Sequence, residues 1–129
     1  MSNVQIKGES SLDAAVSDIL RAAEVEIMIA SKVAAKKTAS DVVKVLKSSS
    51  PKNRGGYSKG WKATAEDDGY VVHNSRYPGL THLLENGHDV VVNGQKVGRA
   101  PAETHIAPAE RLGIQMFEYE VKQEIERRL

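Results

Sequence analysis

The sequence predicts an α+β domain: a long N-terminal helix, a small antiparallel β-sheet with a short inserted helix, and a C-terminal helix. Three observations carry that expectation. Apolar residues recur at helical spacing over residues 12–46 and again over 114–125. The stretches between them carry two tight-turn sequences, Asp67-Asp68-Gly69 and Asn93-Gly94, each flanked by strand-like residues. The chain has 129 residues, enough for one domain and too few for two of ordinary size.

Taken in order, Val4-Gln5-Ile6-Lys7 alternates and stops at Gly8, as a short strand would. Ser10 or Ser11 can cap the helix that follows. Its stripe runs through Leu12, Val16, Ile19, Ala23, Ile27, Ala30 and Ala34, and resumes at Val42, Val45 and Leu46 after a soft point near Lys36-Lys37-Thr38. Val25, Met28, Ile29 and Val33 form a second apolar face, so this helix is either sandwiched within its domain or shared with a neighbouring subunit. Ser48-Ser49-Ser50-Pro51 ends it, because serine competes for backbone bonds and proline cannot continue the ladder.

A basic loop over about residues 48–60 comes next, with Gly55-Gly56 turning the chain into the sheet. Strands are expected at Tyr57–Glu66 and Gly69–Asn74, with Trp61 in the core and its indole N–H at the margin. Tyr70 and Tyr77 read as sheet-face and turn packing. Pro78-Gly79 breaks the chain, and Leu80 to Asn86 reads as a short helix with Gly87 as a left-handed cap. Asp89–Asn93 and Gln95–Arg99 flank the Asn93-Gly94 turn. Pro108 suits the first turn of a last helix that buries Ile114, Phe117, Val121 and Ile125.

Composition narrows the function classes. There is no cysteine, which excludes disulfides, a thiol nucleophile and thiolate metal sites. Aromatics are 5% of the chain, so a thin, mostly aliphatic core is expected, with oligomerisation as a source of further stability. No apolar run is long enough for a membrane span, and residues 1–8 lack the basic and apolar regions of a signal peptide. The expectation is therefore a soluble protein made without export. The charge of +1 hides an asymmetry: residues 1–62 hold 11 Lys/Arg and 6 Asp/Glu, and residues 63–129 hold 7 and 11. Lys44, Lys47, Lys52, Arg54, Lys59 and Lys62 lie in a stretch without one acid, which is either a solvated face or a contact for phosphates.

His73, His82, His88 and His105, with Glu85, supply residue types that zinc or iron sites use. Their spacing argues otherwise: His82 has no second histidine four residues away, and His88 lies beyond the helix-ending Gly87. The preferred reading is histidines at element ends, satisfied by backbone groups. A metal-dependent nuclease or hydrolase using this histidine group is the alternative, and a small nucleic-acid-binding module is another. Neither a phosphate-cradling glycine loop nor a nucleophile elbow is present.

Four stretches, in order, carry a resemblance. Ser50-Pro51-Lys52-Asn53-Arg54-Gly55-Gly56-Tyr57-Ser58-Lys59-Gly60-Trp61-Lys62 resembles the segment after the long helix in small neck and minor tail proteins of long-tailed bacteriophages. Tyr70-Val71-Val72-His73-Asn74 is similar to that family's strand ending in Asn. Leu80 to His88 is similar to its short helix ending in Leu-Glu-x-Gly-His, and His105-Ile106-Ala107-Pro108-Ala109 to the opening of its last helix. Many relatives have Thr-Gly where this chain has Gly55-Gly56, so any role of that Thr side chain does not carry over.

The resemblance implies a non-enzymatic virion protein without a cofactor, made in the host cytoplasm. It would form a ring at the neck between head-completion proteins and the tail terminator or tube, with DNA passing through. In that setting Val25, Ile29, Val33, Lys52, Arg54, Tyr57 and Lys59 are expected at subunit or ring contacts, with Lys52 to Lys62 as a mobile loop. Gly56, Trp61, Asn74, Leu84, Glu85, Gly87, His88, His105 and Pro108 are expected to build the scaffold.

Overall fold

A computed structural model describes residues 8–52, 55–67 and 69–129. The fold is α+β, with elements α1 (Gly8–Ser49), α2 (Gly56–Lys59), β1 (Trp61–Glu66), β2 (Gly69–Asn74), α3 (Leu80–Asn86), β3 (His88–Val92), β4 (Gln95–Ala100) and α4 (Ile106–Arg128). The strand expected at Val4–Lys7 lies outside the described residues.

The long helix is continuous over 42 residues, roughly 63 Å at the α-helical rise. Positions 10 and 11, expected to precede the helix as its cap, therefore lie within its span. The soft point expected near Lys36-Lys37-Thr38 does not form. Thr38 continues the buried stripe of Ala30 and Ala34, so tertiary packing overrides its weak helix propensity. Lys37 on the outer side reaches Glu120 of α4 at 2.7 Å. Contacts from Glu26 to Arg128 and from Val42 to Gly113 make α1 and α4 antiparallel. The turns of α1 before Glu26 extend past the end of α4, and Leu12, Val16, Ile19, Leu20 and Val25 on them are all exposed.

α4 buries different residues from those expected. Ile114 and Phe117 are exposed and Val121 and Ile125 half-buried, whereas Ala109 and Gly113 are buried. The reason lies on the opposing helix. α1 offers mostly alanine there, so its backbone comes close, and only small residues of α4 fit against it. A Cβ at Gly113 would stand 2.9 Å from Val42 Cγ2.

The strands form two separate two-stranded sheets in place of the single sheet expected. β1 and β2 pair antiparallel from Trp61↔Asn74 to Glu66↔Gly69 and lie on α1. β3 and β4 pair from His88↔Ala100 to Val92↔Gln95, with a bulge at Val90/Val91. At their turn Asn93 and Gly94 both take positive φ (51° and 78°), as a two-residue hairpin turn of this type demands. α3 stands between the two hairpins in sequence.

The first expected strand is also shortened. Gly56–Lys59 is one helical turn, and the basic loop is correspondingly shorter than 48–60, because α1 runs to Ser49. Gly55 at φ 82° and ψ −8° reverses the chain into that turn, and its carbonyl accepts from the Lys59 N–H (3.1 Å) and the Ser58 hydroxyl (3.1 Å). The turn sets Tyr57 and Trp61 on one side, four residues apart, with ring centroids at 5.6 Å. These two rings, Leu46 and Ala109 form the core, flanked by Val42, Val43, Val45, Val72, Leu84 and Ile106.

The close α1–α4 approach generates an expectation. Gly113→Leu should lower stability by about 1–3 kcal/mol through overpacking. Urea unfolding checks it: the midpoint should fall with the slope unchanged. Stability equal to that of the parent would mean that the helices are not closely apposed at this point.

Candidate functional site

A helix leaves its first N–H groups without intrahelical partners. At the start of α4 these belong to residues 105–108. Glu85, at the end of α3, takes three of them: Oε1 accepts from the His105 and Ile106 N–H groups (2.7 and 2.8 Å), and Oε2 from that of Ala107 (2.9 Å). The fourth does not exist, because residue 108 is proline. The Glu85 carboxylate also sits at the positive end of the α4 dipole. Burial by itself pushes its carboxyl up, but the three N–H donors and nearby His105 together outweigh this and hold it below its ordinary range.

His105 turns its side chain inward and is 2% exposed. Its Nε2 lies 2.7 Å from the Tyr57 hydroxyl, and its Nδ1 lies 2.7 Å from the Glu103 carbonyl and 3.1 Å from Glu85 Oε1. Burial, with the Glu85 charge nearby, pushes the Tyr57 hydroxyl up to about 12, so it remains a phenol. The phenol donates to Nε2, and Nδ1–H donates to the Glu103 carbonyl. The three rings Tyr57, Trp61 and His105 meet edge to face, at centroid distances of 5.5 Å for Tyr57–His105 and 6.1 Å for Trp61–His105.

Around this centre the other scaffold residues close the backbone accounts. The Trp61 indole N–H is buried and donates to Ser50 Oγ (2.7 Å), so it is not at the core margin as expected. Ser50 Oγ donates in turn to the Leu46 carbonyl and ends α1. Asn74, 2% exposed, donates to the Tyr57 carbonyl (2.7 Å) and accepts from the N–H groups of Arg76 and Tyr77. The Leu84 carbonyl accepts from the Glu103 N–H at 2.7 Å. Gly87 has φ 74° but ψ 171°, so it is not the left-handed cap expected; it serves close approach. A Cβ there would meet the Ala100 carbonyl oxygen at 2.7 Å. A Cβ at Gly56 would meet the Tyr77 ring at 3.0 Å.

The histidines are placed separately. His73 Nε2 pairs with Thr64 Oγ1 (2.8 Å), a side-chain partner in place of the backbone group expected. His82 is exposed on α3, and His88 opens β3 with its Nδ1 buried and unpaired. Among the described residues no group of three or more His, Cys, Asp or Glu side chains is arranged to hold a metal ion. In the Tyr57–His105–Glu85 chain both carboxylate oxygens are committed to backbone donors, an arrangement that fixes chain segments in place. A cavity of about 640 Å³ opens beside it, between Lys52, Tyr57, Tyr77 and Leu84.

The expected contact residues divide. Val25, Ile29 and Val33 are exposed on α1, as are Lys52 and Lys59, while Arg54 lies outside the described residues. Tyr57 is buried and hydrogen-bonded, so it is a core residue and not a surface contact. Ser58 and Trp61 are buried too, so residues 56–61 are built into the fold and do not form the expected mobile loop. Sequence reasoning missed Ser50 as the indole acceptor and Glu103 as a partner of α3. Nothing local marks either, since their partners are 11 and 19 residues away.

No protein family, curated protein or solved structure matched this chain when it was compared with known proteins.

Two outcomes follow from the Glu85 contacts. Glu85→Ala should cost about 1–3 kcal/mol, because it strands buried backbone donors, and chemical unfolding measures it. The carboxyl is held below its ordinary value of 4.5, so its stabilisation is present above that pH and is lost as pH falls through the depressed folded value. Thermal melts from pH 6 down to 3 should show this acid-side loss in the parent and a shallower one in Glu85→Gln.

Proposed function

We propose that this chain is a structural protein of a tailed bacteriophage that joins head to tail, assembling as a ring at the neck through which DNA passes. The observation that carries the reading is the meeting of Glu85 and His105. They belong to two separate stretches that resemble the neck-protein family, and Glu85 binds the His105, Ile106 and Ala107 N–H groups directly. Gly56, Trp61, Asn74 and Gly87, from the same stretches, stand around that pair in close-packed or hydrogen-bonded roles. A resemblance spread over residues 50–110 thus has a common physical basis: its residues hold one junction together.

Surface properties agree with an assembly role. One such property is the apolar face of α1, where Val25, Ile29 and Val33 are 54%, 38% and 40% exposed. The exposed Lys44, Lys47, Lys52, Lys59 and Lys62 supply a basic surface for a neighbouring ring or for DNA in the channel.

Replacing Lys52, Arg54 and Lys59 together by Glu is expected to block head–tail joining while leaving the isolated domain folded. Electron microscopy of lysates should then find filled heads and free tails in place of complete particles. Normal particle yield from the triple variant would sink the assignment of this surface. Val33→Asp tests the helix face by light scattering, where a multimeric parent should give a variant of lower mass.

A further inference from the structure

Two features of this chain are each incomplete alone and match each other. The first is the β3–β4 hairpin, an arm whose strands, among the described residues, pack chiefly on each other. Val91, Val92 and Val97 on it are 59%, 52% and 62% exposed. Val91 and Val92 are consecutive in β3 and so lie on opposite faces. An isolated two-stranded hairpin is marginal in water, and an arm with exposed valines on both faces calls for a covering surface. The arm is also basic towards solvent: Lys96 and Arg99 share the single carboxylate of Asp89.

The second is a groove of about 1030 Å³ between α1, α4 and the turn end of β1–β2. Its floor is apolar, with Ala39, Val42, Val72, Ile114 and Phe117. Its rim is acidic, with Glu66, Asp67, Glu110 and Glu118. No residue of β3 or β4 lines it, so the arm does not fill the groove of its own chain.

We propose that the β3–β4 arm of one copy seats in the α1–α4–β1/β2 groove of the next, one of its apolar faces on the apolar floor and Lys96 against the acidic rim. The occupant is a second copy because one chain carries both halves of the match, apolar with apolar and base with acid. Arm and groove are different surfaces, so the contact is heterologous: it propagates head to tail and closes as a ring when the rotation between copies allows. Alignment of the charges orients the arm, and burial of the seated apolar face holds it. The inference deepens the ring reading and rests on it only in requiring that copies of this chain assemble.

The absence of cysteine from the chain makes the test direct. Val97→Cys and Ile114→Cys are made separately, both at exposed positions, and circular dichroism checks that each variant is folded. Mixed at high protein concentration under mild oxidation, they should give a disulfide dimer joining one copy of each. Each variant alone should give far less dimer. Lys96→Glu in the arm partner should abolish the mixed dimer, and Glu110→Lys in the groove partner should restore it. No mixed dimer, or Val97→Cys coupling only to itself, overturns the arm-in-groove contact. The neck reading fails on other grounds: copies that cross-link as described but whose loss leaves particle assembly intact would retain the contact and refute the neck role.

Discussion

The unpaired N–H groups at the start of α4 are the constraint on which the rest of this structure depends. A buried helix start must find acceptors, and here they come from one carboxylate, Glu85, and from the missing N–H of Pro108. To place that carboxylate, α3 must end against residues 103–107, which its Leu84 carbonyl also grips. Gly87 must then pass the Ala100 carbonyl without a side chain. His105, drawn inward at the same point, ties Tyr57 and Trp61 to α4. Trp61 reaches Ser50 and thereby the end of α1. One electrostatic requirement thus links both long helices and both hairpins.

The elements themselves were legible in the sequence, and their partners were not. The Asn93-Gly94 turn, the Gly69 turn and the stop at Ser50-Pro51 are local signals, and each lies where expected. The errors have a common source in long-range packing. Thr38 remains helical because α4 lies over it, although local propensity marks a weak point. Ile114 and Phe117 look like a core stripe on α4, yet the alanine face of α1 selects Ala109 and Gly113. Residues 57–59 read as strand because Tyr57 and Trp61 share a face in either conformation. Gly55 in a left-handed conformation decides for helix. The role of Glu85 was not legible, since its three donors lie 20 to 22 residues downstream.

That division bears on function. Chemistry-bearing side chains near the centre are consumed in holding segments together, with a phenol, an imidazole and a carboxylate in one chain of contacts. The surfaces left over are extensive, apolar on α1 and on the β3–β4 arm, basic between Lys44 and Lys62, and acidic around the groove. The side chains that could do chemistry are thus inside and tied down, and the charged and apolar groups that remain free are on the surface.

Clamping the β3–β4 arm only at its root also bears on evolvability. The Leu84–Glu103 bond, the Gly87–Ala100 passage and the Arg99–Asn86 contact all lie at its base, whereas at the turn a Cβ added to Gly94 would meet nothing within 4 Å. Changes in length or sequence at the tip therefore leave the junction untouched. The sequence of such an appendage is free to vary, while the body that carries it is held nearly fixed by Glu85, Gly87 and His105.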